Sequence, residues 1–178
     1  MPLLLALTLC ACEGEPLYDT EYPVFFEFDT KLHAASLITS LRENANCFLF
    51  VSSKLYGTTH TLTIESNSLQ TETLRIETER ENRLIGAMGA GNSLILGCQF
   101  GFDDYVYTAY DRQCPACLSN HGAAKYPLQW GETATTVACT TCHRSYNLLS
   151  GGSNDGIRLK TYHARYDKNT ERFRITNQ

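Results

Sequence analysis

Positive charge is in short supply in this chain. Its 15 Lys and Arg stand against 19 Asp and Glu, for a net charge of −4, so it has no basic footprint of the kind that attracts a polyanion. A nucleic-acid partner is not expected. Long apolar runs are also missing: the stretch 3–9 near the start is far too short to span a bilayer. No Ser-His-Asp set, no carboxylate pair placed for acid–base work and no Gly-rich phosphate loop stands out, which argues against a hydrolase or a kinase. No internal repeat is present either. What remains is 178 residues, 43% of them hydrophobic and 19% charged, enough for one domain that buries its own core.

The apolar stretch 3–9 has the length of a signal-peptide core. It runs into Leu9-Cys10-Ala11-Cys12, which resembles the lipobox of bacterial lipoproteins: a large apolar residue, a variable one, a small one, then the cysteine that is acylated. The resemblance assigns lipidation to Cys12. Cys10 fits poorly, because Leu9 occupies the position where a small side chain is required. Acyl chains on Cys12 would hold the protein at a membrane surface, at about 0.8 kcal/mol per buried CH₂. No Lys or Arg precedes the apolar run, and an ordinary cleaved signal peptide or a buried helix is the alternative. The expectation is an exported protein, lipid-anchored in the cell envelope on the outer membrane and facing either the periplasm or the exterior. Residues 1–12 are then signal peptide and lipobox. The polar, Pro-bearing residues 13–21 form a tether, and residues 22–178 a single domain.

Within that domain the strongest signals are short β-type runs at 24–28, 47–52, 59–64, 74–78, 93–99 and 105–110. Thr59-His60-Thr61-Leu62-Thr63-Ile64 switches character with period two, the pattern of a half-buried strand. Turn residues separate the runs: Tyr56-Gly57, Ala90-Gly91-Asn92 and Phe102-Asp103-Asp104, the last reading as a hairpin. Helical spacing occurs only at Ala34, Leu37, Ile38 and Leu41, within 33–42. The fold class expected is all-β, an antiparallel β sandwich or small barrel.

The segment 111–150 carries the chemistry. Cys114-Pro115-Ala116-Cys117 is followed, after 21 residues, by Cys139-Thr140-Thr141-Cys142. Two residues between paired cysteines let a tight knuckle aim both sulfurs at one point, and two facing knuckles supply a tetrahedron of thiolates. Such a set suits Zn²⁺, a single iron or a [2Fe-2S] cluster. The same residues admit other readings. Each pair could be a disulfide if the compartment is oxidising. Cys139-Thr140-Thr141-Cys142-His143 matches the attachment motif of c-type haem, with His143 as axial ligand. Cys114-Pro115-Ala116-Cys117 could be a thioredoxin-like redox pair, although no helical pattern is evident after it.

The surroundings of the cysteines carry a resemblance. Residues 93–112 read as two strands ending in Ala109-Tyr110-Asp111-Arg112 before a Cys-Pro loop. Cys139-Thr140-Thr141-Cys142-His143, Tyr146-Asn147 and Ser150-Gly151-Gly152 follow, and a hairpin of 159–165 with 173–176 closes the chain. Together, over residues 93–176, these resemble the two cluster loops and base sheet of the Rieske [2Fe-2S] superfamily. The resemblance implies a Rieske-like β domain with a zinc-ribbon-like cluster subdomain. In Rieske loops each knuckle supplies one Cys and one His; here Cys117 and Cys142 stand where the histidines would be. The loss of both imidazoles points to zinc as the cofactor, with an iron–sulfur cluster or a single iron of low potential as the alternative. With the lipobox, the whole resembles a group of exported Bacteroidetes lipoproteins. What it implies is a non-catalytic, lipid-anchored domain with an unidentified protein partner, or else an electron carrier.

His143 and His121 are candidates to hydrogen-bond the cysteine sulfurs from outside the ligand set. Both equally suit exposed loop positions. His33, His60 and His163 read as structural. Cys47 and Cys98, each in an apolar strand, form either a disulfide or two buried thiols. Trp130 and the series Tyr105, Tyr107, Tyr110 fit a packed sheet face.

Overall fold

A computed structural model describes residues 18–177. Cys12 and the other lipobox residues lie outside the described residues. The chain runs β1 (Val24–Asp29), α1 (Leu37–Ser40), β2 (Cys47–Tyr56), β3 (Thr59–Ser66), β4 (Thr71–Arg75), α2 (Glu79–Asn82), β5 (Ile85–Met88), β6 (Ser93–Phe100), β7 (Tyr105–Asp111), α3 (Pro115–His121), β8 (Gln129–Trp130), β9 (Thr136–Ala138), β10 (Ser145–Asn147), β11 (Gly152–Ser153), β12 (Thr161–Asp167) and β13 (Arg172–Thr176). The fold is mostly β, and its strand pairings are antiparallel.

Nine strands form one curled sheet in the order β4-β3-β2-β6-β7-β12-β13-β1-β5. It makes a half-barrel, since its end strands β4 and β5 are not neighbours. A second sheet, β11-β10-β9-β8, is inserted in the chain between β7 and β12.

Side-chain alternation explains where this insertion sits. In β2, Leu49 and Val51 face the core inside the half-barrel, while Phe48 and Phe50 face a second cluster on the other side. In β6, Leu94 and Leu96 face inward and Ile95 outward. Strands buried on both faces read as continuous apolar runs, as Phe48-Leu49-Phe50-Val51 and Leu94-Ile95-Leu96 do. β3 is covered on one face, burying Leu62 and Ile64 but not His60, Thr61 or Thr63, and keeps the two-residue alternation. The outer cluster joins Phe48, Phe50, Ile95 and Tyr110 to Leu128, Val137, Tyr146 and Leu148 of the insertion. The cysteine segment is therefore a small module packed on the outer face of the central strands.

The expected strands 24–28, 47–52, 59–64, 93–99 and 105–110 are present as β1, β2, β3, β6 and β7. The run expected at 74–78 is displaced: β4 spans Thr71–Arg75, because its register opposes Leu62 with Leu74 and the chain then leaves the sheet for α2. The helix expected over 33–42 shrinks to the single turn of α1. Ser36 caps it by accepting from the Ile38 N–H, and Ile38 and Leu41 are buried, so its apolar spacing packs one turn rather than a long stripe. The β2–β3 hairpin closes through Gly57-Thr58 with Tyr56 opposite Thr59; Gly57 takes φ +64°, as two-residue hairpin turns require.

Candidate metal centre

The first knuckle starts where β7 leaves the sheet. Asp111, with no exposed surface, accepts from the backbone N–H groups of Ala90 and Gln113, both at 2.7 Å, and from Tyr162 Oη at 2.8 Å. Burial outweighs these bonds and holds its carboxyl above the usual carboxylate range. Gln113 in turn accepts the Tyr126 N–H at 2.9 Å, and the Cys114 N–H donates to Tyr126 O at 2.9 Å. Cys114 is the N-cap of α3 and Pro115 occupies its first turn, where a missing N–H costs nothing. The Cys114 sulfur makes no capping bond and is free to face the second knuckle. Cys117 follows one turn later, and Gly122 ends the helix at φ +62°.

The second knuckle is the tip of the β9–β10 hairpin. Ser145 opposes Ala138; beyond them the Cys139 N–H donates to Arg144 O and the His143 N–H to Cys139 O, each at 2.9 Å. This tight turn requires φ +58° at His143, a conformation most side chains avoid.

The four sulfurs meet. Cys114 Sγ and Cys142 Sγ are 3.6 Å apart, as are Cys117 Sγ and Cys139 Sγ, and all four lie within 4.8 Å of one another. Ligands about 2.3 Å from a central ion at tetrahedral corners stand about 3.8 Å apart, so the spacing fits one thiophilic ion. Cys114, Cys117 and Cys139 are buried and Cys142 is half-buried, which makes the centre closed on three sides.

Its electrostatics are uneven. Burial pushes the Cys114 and Cys117 thiols up. At Cys142 burial acts the same way, but the backbone N–H and guanidinium of Arg144, with hydrogen bonds from Cys114 and Cys117, outweigh it and bring the thiol down to about 6. Arg144 is itself held by Asp155, Nε to Oδ2 at 2.7 Å. Tyr146 Oη lies 3.4 Å from Cys114 Sγ.

The sequence brought together Cys114, Cys117, Cys139 and Cys142, and the structure gathers the same four. His121 and His143 are both exposed; the His121 ring lies against Tyr126 with centroids 5.2 Å apart. The groups on the sulfurs are Tyr146 and Arg144, which sequence reading did not single out for this role. The signal available was their spacing, two and four residues after Cys142 on a strand leaving the knuckle. Contrary to expectation, a helix does follow Cys114, namely α3. It was missed because its seven residues, PACLSNH, begin with Pro and are too few to show a period. Cys114 is nevertheless unlike a redox nucleophile, being fully buried with a raised thiol pKa. The sulfurs of Cys139 and Cys142 stand 3.6 Å from those of Cys117 and Cys114, each contact bridging the two knuckles.

The remaining histidines have local partners. His33 Nε2 contacts Glu81 Oε1 at 2.6 Å, His60 Nδ1 contacts Ser53 Oγ at 2.7 Å, and His163 stacks on Tyr18 at 4.7 Å. Trp130 stacks on Phe50 at 3.8 Å with ring planes 9° apart, and the Arg112 guanidinium lies 3.9 Å from the Phe50 ring centroid.

The chain is thus an antiparallel β protein with a tetracysteine centre capable of holding a metal ion. Compared with known proteins, it matches no protein-family model, no curated protein and no solved structure.

Proposed function

We propose that this chain is a non-catalytic, extracytoplasmic domain, tethered to a membrane through a lipid on Cys12, in which a structural Zn²⁺ bound by Cys114, Cys117, Cys139 and Cys142 stabilises a Rieske-like cluster module for interaction with another protein. The observation that carries the zinc reading is the sulfur spacing: four thiols within 4.8 Å of one another, three of them buried. An ion bound by all four would tie the two knuckles together, so metal binding contributes to folding of the module directly. No open ligand position is left for chemistry, which distinguishes a structural zinc site from a catalytic one.

A [2Fe-2S] cluster sets two irons and their bridging sulfides between two cysteine pairs. Its two pairs of thiolates therefore stand further apart than the corners of a one-ion tetrahedron, and the spacing here favours a single ion. A lone iron with an electron-transfer role uses the same tetrahedron, and the half-buried Cys142 gives it the one sulfur near solvent. Support for export and the lipid anchor comes from the lipobox-like residues 9–12 and the polar segment after them.

Elemental analysis with an absorption spectrum on anaerobically purified protein tests the assignment. One zinc per chain and no colour is expected. Iron with charge-transfer bands in the visible would replace the structural reading by electron transfer. Protein free of metal, with the four thiols oxidised to disulfides, would overturn both. Metabolic labelling with a fatty acid, lost in Cys12→Ser, tests the anchor.

A further inference from the structure

Cys47 opens β2 and Cys98 lies in β6, and the antiparallel register sets them directly opposite one another. Directly opposed residues of such a pair have Cα atoms roughly 4.5–5.5 Å apart, inside the window of about 4.4–6.8 Å that a disulfide needs. Both are free thiols in this structure and belong to the core of the half-barrel, separate from the cluster around the tetracysteine centre. Their surroundings differ. Cys98 has no accessible surface. Cys47 is half-buried and lines an open pocket of about 340 Å³ with Leu37, Ser40, Asn44, Asn67 and Ser68.

We propose that Cys47 and Cys98 are a redox-modifiable pair, joined into a β2–β6 disulfide by exchange with a disulfide-bearing donor that reaches Cys47 through this pocket. The Cys47 thiol loses its proton to solvent and attacks one sulfur of the donor, breaking the donor S–S bond and releasing one donor thiol. The Cys98 thiolate then attacks the Cys47 sulfur of the mixed disulfide, expelling the second donor thiol. The pair gives up two electrons and two protons, and one donor disulfide becomes two thiols. The order follows from access: only Cys47 can be met by a bulky donor, and only Cys98 stands opposite it to resolve the adduct. Burial raises both thiols, Cys98 to about 11, so exchange is slow at neutral pH. The bridge would fix the first residue of β2, the strand whose Phe48 and Phe50 support the cysteine module.

The test uses the full chain, reduced and loaded with its metal, exposed to oxidised glutathione, then denatured, alkylated and mapped as peptides. The expected product is a linked peptide pair containing Cys47 and Cys98, two hydrogens lighter than the reduced pair, with the metal content unchanged. In Cys98→Ser the reaction should stop at a glutathione adduct on Cys47. Recovery of both residues as alkylated thiols from the wild-type chain would overturn the proposal, as would a Cys47 adduct that Cys98 never resolves or bridges formed only among the four clustered cysteines. The wild-type peptide map decides the matter even if the variant does not fold.

Discussion

The hydroxyl of Tyr146, a side chain with no exposed surface, stands 3.4 Å from the sulfur of Cys114. It joins strand β10, which leaves the second knuckle, to a ligand of the first. The two knuckles are therefore coupled through a tyrosine as well as through their facing sulfurs.

Tyr146→Phe keeps the packed ring and deletes this link. Loss of an outer hydrogen bond to a metal ligand typically weakens binding 10–100-fold. The expected result is metal affinity at least about tenfold lower by chelator competition, with the far-ultraviolet circular dichroism of the β sheet preserved. An unchanged affinity would mean that the hydroxyl only fills space.

Metal removal should be visible through Trp130, the only tryptophan in the chain. It lies on β8 of the cysteine module and stacks on Phe50 of the main sheet. Stripping the metal should shift and broaden its fluorescence as the module loosens. The β signal should fall only in part, because the core inside the half-barrel is a separate cluster that includes Leu49, Val51, Leu94 and Phe26. Cooperative loss of both signals at one chelator concentration would show instead that the half-barrel cannot stand without the module.

How much of this was legible in advance depends on where the physical information sits. The long strands announced themselves through periods and turns, and the four cysteines through two CxxC spacings, because those patterns are local. The short strands β8, β9, β10 and β11, with two or three residues each, carry no period to read. They exist because the hydrophobic face of Val137, Tyr146 and Leu148 packs on Phe48 and Phe50, a contact between segments about ninety residues apart. The role of Arg144 was hidden for the same reason: its guanidinium reaches Cys142 from a position that is ordinary in sequence.

His143 takes φ +58° in the second knuckle, at a position where glycine is freely accommodated. His143→Gly should stabilise the folded protein by up to about 1 kcal/mol, with metal content unchanged, as read by urea unfolding and elemental analysis. The ring is exposed, so nothing in the core is lost. Were His143 an axial ligand to a haem, the same substitution would abolish the cofactor spectrum.

Asp111→Asn probes the junction between half-barrel and metal module. The carboxylate accepts three donors, Gln113 N–H at one oxygen and Ala90 N–H with Tyr162 Oη at the other. An amide has only one acceptor oxygen, so either orientation turns an NH₂ group towards one of the two backbone N–H groups. A buried donor left unpaired costs about 1–3 kcal/mol. Space around the carboxylate is tight, since even a Cβ at Gly89, which takes φ +74°, would collide with Asp111 Oδ2. The variant should therefore unfold at lower urea, and it should also bind metal less tightly, since Gln113 and Tyr126 set the backbone of Cys114. The pH dependence has a definite sign. The carboxyl of Asp111 is raised in the fold, so the stability it contributes is full below its unfolded pKa of about 3.9 and declines as pH rises through the folded value. Asn lacks that slope, and the penalty of the substitution should shrink from acid towards neutral pH. Urea midpoints of both proteins, taken where Trp130 fluorescence reports the metal still bound, measure it; a penalty that grows with pH would show that the carboxylate charge is itself stabilising.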